Sequence, residues 1–359
     1  MGSQHITQIV PTLPPAVNGL GDFALGLAHR LQADFGLITD FVIGDPQWQG
    51  EAELEGFTVK AILERSRAGL VAQLGNDPVL LHYEGYGYAK RGFPWWLWQG
   101  LAHWHRRSQC RWVTMFHEVY AYDHGPPWSS SFWLAPGQRY LASRLIQGSD
   151  RALTSRNQYA RLLRQLRQRH TTPIYTLPVY STVGEPGSLK PLGDRPPRLI
   201  VFGHPNSRRL VYQRDYRALA HACQVLQIRE LYDIGIPTGI SLPPLPGVKM
   251  TIMGVIPAVE ISQLMSEAMA GFISFIPPQY LGKSTVYAAY CAHGLLPILA
   301  HRGREITDGL YPDLHYWSAL TDTRISLPTA QYIADRAHRW YGSHTLSRHS
   351  QTLAYLLTR

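Results

Sequence analysis

Four residues in the last third of the chain, Gly282-Lys283-Ser284-Thr285, have the types and order that hold a diphosphate. They precede Val286-Tyr287-Ala288-Ala289-Tyr290-Cys291-Ala292-His293-Gly294, which reads as a buried helix ending at a glycine. Leu295-Leu296-Pro297-Ile298-Leu299-Ala300 then reads as a strand. Ser284 or Thr285 can cap the helix, its first N–H groups point outward, and Lys283 sets a mobile cation beside them. Gly-Lys-Ser/Thr also ends a P-loop, but the glycine which that motif requires at position 277 is Pro277 here, so the chain departs from it. A capped helix with a solvated lysine is the plain alternative reading.

Other polar clusters stand where strands end. Ile6-Thr7-Gln8-Ile9-Val10 reads as a first buried strand, followed by a loop from Pro11 to Asp22 in which Gly19 and Gly21 allow the backbone to approach a ligand. Asp22 can cap the helix after it. Gly19-Leu20-Gly21-Asp22-Phe23-Ala24 matches G-x-G-x-x-A, but no acidic ribose partner stands at a convincing distance, Asp40 and Asp45 being only near the spacing. His82 to Tyr88 follows a second strand, and His117-Glu118 a third. His117 is the stronger candidate for function, because a lone strand-end His or Glu is more often a satisfied structural residue. A further strand at Arg198 to Phe202 leads into Gly203-His204-Pro205-Asn206-Ser207-Arg208-Arg209, which offers His204, Arg208 and Arg209 near its end.

The elements that must position these groups alternate strand with helix. Strands are expected at Leu37–Ile43, Phe57–Ile62, Val79–Tyr83, Arg111–His117 and Arg151–Ser155, and after a Pro- and Gly-rich linker at Arg198–Gly203, Glu230–Ile234, Val248–Ile252 and Gly271–Phe275. This predicts an α/β chain of two doubly wound, Rossmann-like domains with a cleft between them. Ligands of such sheets sit at the carboxyl ends of the strands, where the polar clusters are. The segments are 1–180, a linker 181–197, a second domain 198–335, and a helical segment 336–359 expected to cross back onto the first domain.

Composition sets the class. At 359 residues, with 45% hydrophobic and 16% charged residues, the chain can fill two cores and is not disordered. Its net charge of +9 suits anionic partners. Part of that charge lies in Arg156, Arg161, Arg164, Arg167 and Arg169, read as one solvated basic helix face. Phe93-Pro94-Trp95-Trp96-Leu97-Trp98 is rich in aromatics, and burial in the core is its expected fate. Tyr120 to Phe132 reads as a long irregular loop able to shape a second pocket. The three cysteines, Cys110, Cys223 and Cys291, lack ligand or disulfide spacing, and no leader or spanning run is seen, which predicts a cytoplasmic protein.

Taken together, Pro14 to Leu31, Trp112 to Tyr120, Pro178 to Pro186, Phe202 to Arg209 and Gly282 to Ala300 resemble a retaining glycosyltransferase of the GT-B fold, close to family four. The resemblance implies an acceptor-side first domain and a nucleotide-sugar second domain. It carries the donor-binding role to Gly19, Gly21, His204, Arg208 and Arg209, to which the reading of the helix start adds Lys283, Ser284 and Thr285 on the phosphates, and the catalytic role to His117 and Glu118. The family usually carries a pair of glutamates about the C-terminal donor helix, and their places fall here on Leu281 and Ala289. The implied partners are a nucleoside-diphosphate sugar and a glycan or lipid-linked acceptor, with peripheral contact to an anionic membrane. No cofactor, metal or nucleic acid is expected. A non-catalytic nucleotide or sugar binder of the same fold is the alternative.

Overall fold

Buried runs of aliphatic residues become strands covered on both faces by helices, which is how a parallel sheet is made from such a sequence. The computed structural model describes residues 4–16, 19–122, 128, 130–274, 278–303, 305–320 and 324–359. The sequence readings at Asn18, Gly125-Pro126-Pro127, Phe275 and Pro277 lie outside them. The chain divides into two units, Met1–Pro178 with Leu346–Arg359, and Val179–Thr345.

In the first unit, β1 (Gln4–Val10), β2 (Leu37–Ile43), β3 (Glu53–Leu54), β4 (Phe57–Ala61), β5 (Val79–Tyr83), β6 (Trp112–Phe116), β7 (Arg151–Thr154) and β8 (Ile174–Thr176) form one sheet. Its order is β3-β4-β2-β1-β5-β6-β7-β8, parallel throughout except where the short β3 pairs antiparallel with β4. The winding reverses between β1 and β5, which makes their carboxyl ends the place for a ligand. The helices are α1 (Gly19–Phe35), α2 (Arg67–Val71), α3 (Gly85–Tyr88), α4 (Trp95–Ser108), α5 (Ser130–Gly148) and α6 (Asn157–Leu166).

Two readings of this unit change. The aromatic run leads into the first turn of α4: Leu97, Leu101 and Trp104 enter the core, while Trp95 and Trp98 are half-buried, Trp95 stacking with Phe93 and Tyr140 and meeting Trp98 at a tilt. Arg156 does not belong to the solvated face of α6. It is fully buried, with its guanidinium on the Tyr122 hydroxyl at 3.3 Å and over the Tyr159 ring at 4.5 Å. Arg161, Arg164 and Arg169 are exposed as expected.

In the second unit, β9 (Arg198–Phe202), β10 (Glu230–Ile234), β11 (Lys249–Gly254), β12 (Ala270–Ile273), β13 (Leu296–Leu299) and β14 (Trp317–Ser318) form an all-parallel sheet of order β11-β10-β9-β12-β13-β14. Here the winding reverses between β9 and β12. Its helices are α7 (Pro205–Gln213), α8 (Tyr216–Val225), α9 (Ala258–Ser266), α10 (Thr285–Ala292) and α11 (Leu327–Tyr341). The helical stretch at the end of the chain breaks after Tyr341, and α12 (Leu346–Thr358) returns to the first unit, where it packs on α1. Phe23 of α1 meets His349 of α12 edge-on at 5.5 Å, and His349 Nε2 lies 2.7 Å from the Pro178 carbonyl. Both units are thus Rossmann-like, as expected.

Candidate functional site

In the first unit the site is built where β1, β5 and β6 end. Helix α1 begins at Gly19, so Gly19 and Gly21 lie in its first turn and Asp22 is a first-turn acid rather than the cap. The close backbone approach that Gly21 permits is to the chain itself: a Cβ there would stand 2.9 Å from the Thr12 carbonyl oxygen. Two residues on, Phe23 turns inward and lays its edge against His82 and His117, with ring centroids 6.0 and 5.3 Å away. His117 and Glu118 follow β6, half-buried, with the His117 N–H donating to the Tyr83 carbonyl at 3.0 Å. Burial is the main cause that pushes the Tyr83 phenol upward, and the nearby Glu118 charge adds to it, so this carboxylate lies at the same end of the sheet.

Beneath His117 runs a row of buried polar groups. His82 Nδ1 lies 3.1 Å from His117 Nε2, with the ring planes 21° apart, so the two imidazoles meet edge to edge. His82 Nε2 lies 2.8 Å from the amide oxygen of Gln8, and the Gln8 amide nitrogen donates to Thr39 Oγ1 at 3.2 Å. Gln8, Thr39 and His82 are each 0% exposed, and burial pushes the His82 imidazole down to about 3, so the ring is neutral. In the same unit, Tyr120, Tyr122, Arg139, Tyr140, Gln165 and Gln168 line a cavity of about 470 Å³.

In the second unit the site forms after β9 and before α10. Gly203 adopts φ +119°, and a Cβ on it would stand 2.8 Å from Val286 Cγ2, so the turn after β9 sits directly on the first turn of α10. Tyr290 holds the two together from below: its hydroxyl accepts from the Phe202 N–H at 3.1 Å and is 3.2 Å from the Ile200 carbonyl. Ser284 is the cap, its hydroxyl accepting from the Tyr287 N–H at 3.1 Å, while Thr285 is the first helical residue. Lys283 is half-buried, with its ammonium 5.8 Å from the Tyr280 ring centre. His204 caps α7 and is exposed, its Nδ1 accepting from the Asn206 N–H at 3.2 Å. His204 thus follows directly on Gly203, the residue that meets Val286.

The arginines separate. Arg208, expected beside the diphosphate, is 1% exposed, and its guanidinium is bonded to the Gly203 carbonyl at 2.9 Å, the Asp233 carboxylate and the Ile236 carbonyl. Asp233 in turn accepts from the Tyr212 hydroxyl at 2.7 Å. A guanidinium so enclosed holds the Gly203 turn in shape. Arg209 is half-buried and donates to the Thr238 carbonyl at 2.8 Å. Leu281 and Ala289, which stand at the places of the family's glutamates, are both buried.

The residues that sequence reasoning missed are Gln8, Thr39 and Asp233. Gln8 lies in a strand buried on both faces, where an amide must find partners, and that was the available signal. Among the described residues, no group of three or more His, Cys, Asp or Glu could hold a metal ion, and no helix is long and apolar enough to cross a membrane. Cys110, Cys223 and Cys291 are free thiols.

No protein-family model and no curated protein matches this chain. Solved structures do. HepE of Anabaena in complex with UDP-glucose is similar with a TM-score of 0.63 at 11% identity, over 99% of each chain. WaaG, a glycosyltransferase involved in lipopolysaccharide biosynthesis, gives 0.59 at 11% identity, over 98% of this chain and 99% of its own. An alpha-glucosyltransferase in complex with UDP and a 13-mer DNA containing a HMU base gives 0.59 at 11% identity, over the full length of both chains. These are glycosyltransferases of the GT-B fold, and that is the fold of this chain.

Proposed function

We propose that this chain is a retaining, family-four-like glycosyltransferase that moves a sugar from a nucleoside-diphosphate donor to a hydroxyl of a glycan or lipid-linked acceptor. The observation that carries the reading is the seating of the Gly203 turn on the first turn of α10 at the switch point between β9 and β12, which sets that turn against the outward N–H groups of a helix that Lys283 and Ser284 lead into. UDP is the first donor nucleotide to test, because the similar structures hold UDP or UDP-glucose.

During transfer the bond from the anomeric carbon to the diphosphate oxygen breaks, and its electron pair stays on the diphosphate. The new bond forms to the acceptor oxygen, whose proton leaves with the base that takes it. Negative charge therefore grows on the diphosphate, and preorganised N–H groups and a cation stabilise it with no reorganisation at the moment of reaction. Lys283 and the α10 N-terminus have that role, Ser284 and Thr285 shape the turn, and Arg208 acts through the Gly203 carbonyl. This chemistry requires no metal or cofactor. His117 and Glu118 in the first unit handle the transferred sugar and the acceptor.

The cavity lined by Tyr120, Tyr122 and Tyr140 is the proposed acceptor pocket, since aromatic faces with amide and guanidinium edges suit a glycan. Peripheral contact with an anionic membrane would draw on the exposed Trp133 of α5 and the exposed Arg161 and Arg164 of α6. Purified protein incubated with UDP-glucose and other sugar nucleotides, against glycan, lipid-linked and DNA acceptors, should release nucleotide only with a sugar acceptor. The product should keep the donor's anomeric configuration by NMR. An inverted product would refute retention, and donor binding with neither transfer nor hydrolysis would favour a non-catalytic binder, in keeping with the buried Leu281 and Ala289.

A further inference from the structure

The row of groups from Thr39 to His117 crosses three neighbouring strands and reaches one residue past a fourth: Thr39 on β2, Gln8 on β1, His82 on β5, and His117 just past β6. Each link constrains the next. The Gln8 amide nitrogen donates to Thr39 Oγ1, so the Gln8 oxygen faces His82 and accepts from its Nε2–H. A neutral imidazole carries one ring proton, so His82 Nδ1 is then an acceptor. The contact at 3.1 Å is made by His117 Nε2 donating to it.

We infer that Gln8, Thr39 and His82 are positioning residues that hold His117 in its Nε2–H form and make Nδ1 its accepting nitrogen. A hydroxyl and a primary amide buried between strands would otherwise have to find partners elsewhere, because a buried polar group left without them is destabilising. The row uses both ends of the Gln8 amide and both nitrogens of His82. Phe23 lies against both rings and closes the row from the α1 side. That His117 acts on the sugar or the acceptor rests on the function proposed above, whereas the tautomer can be read without any substrate.

The test uses the full chain labelled with ¹⁵N at its 16 histidines, with the His117 and His82 signals assigned from His117→Phe and His82→Asn. Long-range ¹H–¹⁵N spectra should show a protonated Nε2 and an unprotonated Nδ1 for neutral His117. Gln8→Leu should turn this into a mixture of tautomers, and Gln8→Glu, which keeps an acceptor toward His82, should restore the single form. Should Gln8→Leu not fold, Thr39→Val removes only the acceptor that orients the Gln8 amide and should give the same mixture. A protonated Nδ1 on His117 in the unaltered chain, or an unchanged tautomer in Thr39→Val, would overturn the inference. In a transferase assay Gln8→Leu should lower turnover on the order of tenfold with UDP affinity unchanged, and Gln8→Glu should recover it. Absence of turnover in the unaltered chain, with the tautomer as stated, would count against the proposed function and leave the row intact.

Discussion

Adding one methyl group at Gly203 should unseat α10, and the structure gives the two parts of the cost. The first is conformational: φ +119° is backbone that side-chain-bearing residues avoid, and holding one there costs about 1–3 kcal/mol. The second is steric. The new Cβ would stand 2.8 Å from Val286 Cγ2, and Val286 is β-branched on a helix, with one strongly preferred rotamer, so it cannot swing aside. Overpacking of this kind costs about 1–3 kcal/mol. Gly203→Ala should therefore lose roughly 2–6 kcal/mol of a total stability of about 5–15 kcal/mol, and UDP binding should weaken with it. The assay is urea unfolding of the full chain, repeated with Gly203→Ala/Val286→Ala. The double variant should recover the steric part, with a coupling of about 1–3 kcal/mol, and retain the conformational part. A Gly203→Ala chain within about 0.5 kcal/mol of the parent, or no coupling with Val286→Ala, would refute the contact on which the site is built.

Other perturbations separate structure from chemistry. Arg208→Ala leaves Asp233 buried without its cation and should cost about 3–5 kcal/mol in urea unfolding, while Arg209→Ala, which loses only bonds to one carbonyl, should cost about 1 kcal/mol; equal losses would contradict the burial of Arg208. Burial lowers His82 to about 3 and both His293 and His349 to about 4, from an ordinary 6.5. Because the folded values lie below the unfolded one, the unfolded chain takes up protons first. The stability these groups contribute is complete above about pH 6.5 and is lost as pH falls toward 4. The urea midpoint should drop between about pH 7 and 5, less steeply in His349→Gln, and a flat profile would contradict the assignment.

Much of this was legible in the sequence. The bounds of β2, β5 and β10 follow from buried runs flanked by polar residues, and Ser284 was one of the two hydroxyls read as the cap of α10. The short β3, β8 and β14 carry too few residues to show a period, and only their sheet partners define them. Helix α1 starting at Gly19 runs against the low helix propensity of glycine. Gly21 is tolerated there because the Thr12 carbonyl occupies the space of a side chain. Arg208 and Arg209 are neighbours in the sequence and look alike. Only Asp233, on the adjacent strand β10, tells which of them is drawn into the interior. The row beneath His117 needs four segments to be brought side by side, and no local pattern announces it.

The measurement that reaches the central claim most directly is calorimetric titration of UDP into the full chain and into Lys283→Ala. A charge-assisted bond from lysine to phosphate is worth about 1.5–3 kcal/mol, so the variant should bind on the order of ten- to a hundredfold more weakly while keeping its unfolding midpoint. Binding of UDP by the unaltered chain together with that loss is the predicted result. Equal affinity in the two chains, or no binding of UDP by either, would contradict a diphosphate site at the Gly203 turn and the start of α10.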